Sequence, residues 1–162
     1  MTDDITILLE GSNSIIQREY DDESFPLVNG EQIRFNGKGE DGHETFLLAR
    51  EDKPREWSEK KDEVFNFCKT AHKDYDVYVT AVLVLAKLHL KDNIRLSSDG
   101  DISDWQAGIA LINSKLGKKI VMRKNESAKY PSSVSDAIIK EEKKEVKGLS
   151  KLPELNELPA QA

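Results

Sequence analysis

The sequence predicts an α+β fold, an N-terminal antiparallel hairpin or small sheet packed on a three-helix core, followed by an extended or partly helical C-terminal tail. Three observations predict it. Short β-favouring runs punctuated by Gly and Asn fill residues 1–50, and apolar residues at helical spacing fill most of 56–117. Beyond 126 the chain turns to Glu, Lys, Ser and Pro. The expected parts are a β-rich 1–50, a helical core of the same domain at 51–125, and a charged helix with a flexible or partner-docking tail at 126–162.

Ile5-Thr6-Ile7-Leu8-Leu9 reads as a β-favouring run ended by Gly11-Ser12-Asn13, and Ser14-Ile15-Ile16 as a second run leading into acidic residues 19–23. Phe25-Pro26-Leu27-Val28 closes on Asn29-Gly30, a strong turn dipeptide. Gln32-Ile33-Arg34-Phe35 alternates as a half-buried strand does. The glycine-rich stretch 36–42 then returns Glu44-Thr45-Phe46-Leu47-Leu48 against it, so 31–50 is expected to be a hairpin.

Three helices are expected next. At 56–71, Trp57, Lys61, Val64, Phe65, Cys68 and Ala71 recur three and four apart and share a face with one lysine in it. At 75–90 apolar residues surround nearly the whole axis, with Asp76, Thr80 and Lys87 as a narrow polar side; such a helix must be covered all round, hence central. At 103–117, Ser103 is the expected N-cap, with Gln106 completing a capping box and Gly117 ending the helix. Trp105, Ile109, Ile112 and Leu116 make its buried stripe, while Ala107 and Gly108 allow close packing on the central helix. Residues 119–122 read as a short strand returning to the N-terminal sheet, and 131–147 as a solvated helix. Leu149, Leu152, Leu155 and Leu158 follow at every third position, a series that suits docking in a groove.

The net charge is −6, unevenly spread: residues 1–50 hold eleven acids and four bases, a net of −7. That imbalance disfavours nucleic acid, whose binding draws on phosphate neutralisation, and suits a basic partner. The one cysteine cannot form an internal bridge and fits a reducing compartment. The longest apolar stretch, 77–90, is shorter than the roughly 20 residues a bilayer demands, so no membrane partner is expected.

Asp99, Asp101 and Asp104 place three carboxylates over six residues, a set that can hold a hard cation, but without the EF-hand pattern; a glycine turn joined to a helix cap explains the same residues. His43 lies in a three-glycine turn that departs from the phosphate-loop order and can touch a partner. Lys73 and Tyr75, with Lys69 and Tyr78, form a small basic–aromatic set best read as an interhelical turn whose tyrosines reach solvent or a partner. No serine, threonine or cysteine has the companions of an activated nucleophile, and no cofactor is expected.

Phe65, Cys68-Lys69-Thr70-Ala71, Tyr75-Asp76, the apolar run to His89, Ser98-Asp99-Gly100 and Trp105 together resemble small uncharacterised proteins of tailed bacteriophages. Gly42-His43-Glu44-Thr45-Phe46 adds to the likeness, which covers about 42–117. The resemblance brings no known chemistry; it implies a phage origin and a role in the host cytoplasm or in the virion. The expected function is thus a non-enzymatic accessory protein that binds and modulates a host protein through exposed loops and the leucine series. A virion structural or connector protein is the alternative, and a divalent-metal hydrolase built on Asp99, Asp101 and Asp104 a third reading. Oligomeric state is left open.

Overall fold

The computed structural model describes residues 1–54, 56–60 and 62–143. The order of elements is helix α1 (Thr2–Leu9), strands β1 (Ile16–Gln17), β2 (Leu27–Val28), β3 (Gln32–Gly37) and β4 (Phe46–Ala49), helices α2 (Asp76–Leu90) and α3 (Gln106–Leu116), then strands β5 (Ile120–Arg123) and β6 (Ile138–Glu141). The α+β class, the N-terminal sheet and a three-helix core are all present, but one of the three helices, α1, is not an expected one.

Residues 5–9, expected as strand, belong to α1. Ile5, Leu8 and Leu9 stand three and four apart and are buried, and Asp3 and Asp4 occupy the first turn, where the helix dipole favours negative charge. The expected helix at 56–71 does not form: from Glu63 to Thr70 the chain neither turns nor bends, and Trp57, Phe65 and Phe67 are exposed. Its stripe needed a lysine, and α1 instead supplies a helix of the core, packing on both α2 and α3.

Helix α2 is the interior rod its apolar pattern predicts, with Ala81, Val82 and Val84 fully buried. Thr80, expected on a polar side, is buried instead and donates to the Val77 carbonyl at 3.1 Å. Gly108 of α3 lies against it, where a Cβ would collide with Thr80 Oγ1 and the backbone of Ala81; the close approach expected at this glycine is real. Gly117 ends α3 in the left-handed conformation, as expected.

In the N-terminal sheet β3 is central, with β1 and β2 along one edge and β4 along the other, all antiparallel. Phe35 and Phe46 stack across the β3–β4 hairpin with ring centroids 5.0 Å apart. Strand β5 does not join this sheet. It pairs with β6, Met122 opposite Ile139, and the helix expected from 131 is absent as far as residue 143. Ser133 caps only a 3₁₀ turn, Val134–Asp136, after which Ala137 is extended. Pairing buries Ile139 partly and Val134 fully against the core, whereas a helix so poor in apolar residues would have left them in water. Leu149, Leu152, Leu155 and Leu158 lie outside the described residues. Among those described, no helix is long and apolar enough to cross a membrane.

Candidate functional site: an ordered acidic–aromatic loop

The three aspartates singled out from the sequence are engaged by the backbone. Asp101, rather than Ser103, is the N-cap of the 3₁₀ turn Ile102–Trp105 that leads into α3. Its Oδ1 accepts the Ser103 N–H at 2.8 Å, and Asp104 Oδ2 accepts the Asp101 N–H at 2.9 Å, closing a capping box two residues earlier than expected. These hydrogen bonds hold the Asp101 carboxyl below the usual carboxylate range, the Ser103 hydroxyl and N–H contributing most. Asp99 stands on the preceding turn, and no cluster of three or more metal-ligating side chains occurs among the described residues.

His43, Lys73 and Tyr75 converge on a polar junction where the β3–β4 turn meets the approach to α2. His43 Nδ1 lies 2.6 Å from the Lys69 carbonyl, which can only accept, so Nδ1 carries the proton and Nε2 faces outward. Lys73 Nζ donates to the Glu40 carbonyl at 3.0 Å. Tyr75 does not reach solvent: it is fully buried and donates at 2.7 Å to the Glu44 carbonyl, which also accepts the Cys68 thiol at 3.4 Å. Tyr78, the other tyrosine of the expected patch, is buried too. Burial, with the nearby Glu44 and Asp76, pushes the Cys68 thiol up to about 11 despite the Tyr75 hydrogen bond, and burial likewise raises the Tyr75 phenol. Beneath them Asn36, buried, bonds His43 N–H and C=O and Thr45 Oγ1. Gly37 and Gly42 touch so closely that a Cβ on Gly37 would enter the Asp41–Gly42 backbone and one on Gly42 the Gly37 carbonyl. The junction joins segments far apart in sequence and holds its thiol in the protonated, unreactive form.

The unexpected feature lies at the other edge of β3. Ile16 and Gln17 face Gly37 and Asn36, while Leu27 and Val28 face Arg34 and Ile33. One residue, Phe35, separates these pairings on β3, and nine residues, 18–26, separate them on the facing chain. β1 and β2 are therefore two parts of one edge strand, with an excursion looped out between them.

That excursion is tied to itself. Gln17, only 3% exposed, sends its side-chain amide to the carbonyls of Glu19 at 2.7 Å and Tyr20 at 3.0 Å. Arg18 N–H donates to the Ser24 carbonyl at 2.9 Å and its Nε to the Phe25 carbonyl at 3.0 Å. Glu19 and Asp22 exchange backbone hydrogen bonds, and Asp22 Oδ1 accepts the Ser24 N–H at 2.9 Å. Ser24 thereby holds the Asp22 carboxyl below its ordinary range. Glu19 forms an ion pair with Arg34 of β3. Phe25 precedes Pro26, which biases it to the extended backbone that re-enters the sheet.

From this frame Tyr20 and Phe25 stand 66% and 67% exposed, interleaved with Glu19, Asp21, Asp22 and Glu23. A sequence reading registers the acidic run but not the rings, because nothing in spacing alone says that two aromatics in a loop stay outside the core. Comparison with protein-family models, curated proteins and solved structures finds no match to this chain.

Proposed function

We propose that this protein acts by binding another protein, and that residues 18–26 are the contact, taking a basic, partly apolar segment of the partner. The observation that supports this reading is the order of the loop itself. Exposed aromatic rings with two side-chain torsions supply contact area at low entropic cost, and here the backbone beneath them is already fixed. Four carboxylates against Arg18 and the paired Arg34 give the loop a negative field, which steers Lys- and Arg-rich partners and lets a guanidinium lie on a ring face. Binding rather than catalysis is supported by what the polar candidates do: Asp101 and Asp104 cap a helix, and the Cys68 thiol and Tyr75 hydroxyl serve one buried carbonyl. The tailed-phage resemblance gives the reading its setting, an accessory factor that occupies a basic surface of a host protein.

Fluorescence anisotropy with synthetic peptides graded in Lys/Arg and aliphatic content tests it. Affinity should climb with basic content, weaken with salt, and fall at least tenfold, about 1.4 kcal/mol, in a Tyr20→Ser/Phe25→Ser variant. Equal binding of acidic and basic peptides, or an unaltered affinity in that variant, would remove the loop from the interface.

A further inference from the structure

The loop at 18–26 has an occupant of fitting chemistry within its own chain. Tyr20 and Phe25 are uncovered, and Asp21 and Glu23 enter no ion pair among the described residues. Such a surface suits lysines spaced among aliphatic side chains. Of the runs with that composition, two are built into the fold. In 87–96, Lys87 Nζ donates to the Lys91 and Ile94 carbonyls and Arg95 pairs with Glu63. In 115–124, Ile120 and Met122 are buried, and Lys118 and Lys119 pair with Glu141 and Glu142. The third is Lys143-Lys144-Glu145-Val146-Lys147-Gly148-Leu149-Ser150-Lys151-Leu152, where four lysines stand against one acid, with a valine and two leucines among them.

The point where the chain leaves the described body brings this run within reach of the loop. Glu142 N–H donates to the Lys119 carbonyl at 2.8 Å, which sets Lys143 at the end of β6. Asp4, Lys118 and Glu141 line one small cleft, so the exit lies beside the first turn of α1. Helix α1 has eight residues, a length of about 12 Å, and packs against β2, which directly follows the loop. Ten residues span at most about 33 Å, longer than α1 with a side-chain contact at each end. Tethered so closely, the run meets the loop at an effective concentration on the order of millimolar, above that of a second copy in dilute solution.

We propose that residues 143–152 fold back on to residues 18–26 of the same molecule, so that a partner binds by displacing them. Lys147 and Lys151 then face Asp21 and Glu23, and Leu149 and Leu152 face the two rings. The inference rests on the reading of 18–26 as the contact and adds its regulation, a competitor carried in the same chain. Affinity for a partner is lowered by the fraction of molecules whose loop is uncovered.

Two measurements on the full chain test it. A carbodiimide joins a lysine amine to a touching carboxylate as an amide, taking up the water released as its urea. Peptide mapping by mass spectrometry should find Lys147 or Lys151 joined to Asp21 or Glu23 within monomers, in a yield that dilution leaves unchanged. Fluorescence anisotropy, with a labelled peptide of lysine and leucine as probe, should show roughly threefold or tighter binding when Lys143→Gln, Lys144→Gln, Lys147→Gln and Lys151→Gln are combined. That gain should be absent when Tyr20→Ser and Phe25→Ser are added. Probe binding without the crosslink, or without the gain, would overturn the inference and leave the loop as the contact. An equal gain in the Tyr20→Ser/Phe25→Ser background would overturn it by assigning the effect to overall charge, and a crosslink formed only between molecules by assigning the contact to a second copy. No probe binding by any of these proteins would overturn both the inference and the reading of the loop beneath it.

Discussion

Cys68 shows how much the surroundings of one side chain govern its chemistry. Its thiol shares the Glu44 carbonyl with the Tyr75 hydroxyl, in a site that burial and two acids keep hostile to a thiolate. The pKa is raised from 9.0 in a free thiol to about 11, so the folded state favours the protonated form. The stability this gives is complete below pH 9. It is lost progressively as the pH rises from 9 through about 11, where the unfolded chain has released a proton that the folded chain still holds. Denaturant titrations across that window should show the unfolding free energy falling with pH, and falling less steeply in Cys68→Ala. The residual slope includes Tyr75 and Tyr78, whose phenols burial shifts in the same direction. An identical slope in both proteins would show that the thiol titrates normally and that the junction is open to water.

Elements obeyed the sequence where a pattern had only one way to be buried. Residues 76–90, apolar on nearly every side, became the interior helix, and 32–37 with 46–49 became the hairpin that alternation and glycine predict. The failures share a physical form: each was a segment with enough apolar residues for two solutions. Ile5, Leu8 and Leu9 satisfy a strand's composition and a helix's spacing, and the acids at 3 and 4 tip the choice. Val64, Phe65 and Cys68 satisfy a helix's spacing, but in the extended chain only Cys68 packs against the core, while Val64 and Phe65 stay exposed. At the start of α3 the capping box was legible as a kind of motif, yet its register slipped by two residues because Asp101 is as good a cap as Ser103. That register carries a prediction. Asp101→Ala should cost about 0.5–2 kcal/mol in thermal or denaturant unfolding, because the Ser103 N–H loses its acceptor. Asp101→Asn should recover most of that loss. Calcium should shift the melting of the unaltered protein and of Asp101→Asn equally; a stabilisation by calcium that Asp101→Asn abolishes would restore the cation reading of this turn.

On the scale of the whole described body, helical and β-paired, residues 18–26 stand displaced from the edge of β3. The acids of this excursion were visible in the sequence, but its character as an excursion was not, because only pairing register reveals it. Register also says how to remove it. In the pairs Ile16–Gly37 and Gln17–Asn36 the residue numbers add to 53, and in Leu27–Arg34 and Val28–Ile33 to 61. Deleting residues 19–26, the eight-residue difference, brings Arg18 opposite Phe35 and Leu27 on to Arg34 in one continuous edge strand. Gln17 would then bury an amide without acceptors, so the deletion is paired with Gln17→Val. Shortening a closed loop lowers the entropy cost of folding by roughly 0.6 kcal/mol for each halving of its length, so the unfolding midpoint should hold or rise. Binding of basic peptides should vanish in the same protein. Were the peptide still bound, the recognition surface would lie elsewhere on the body; were the fold lost, the excursion would be part of the sheet's construction rather than an addition to it.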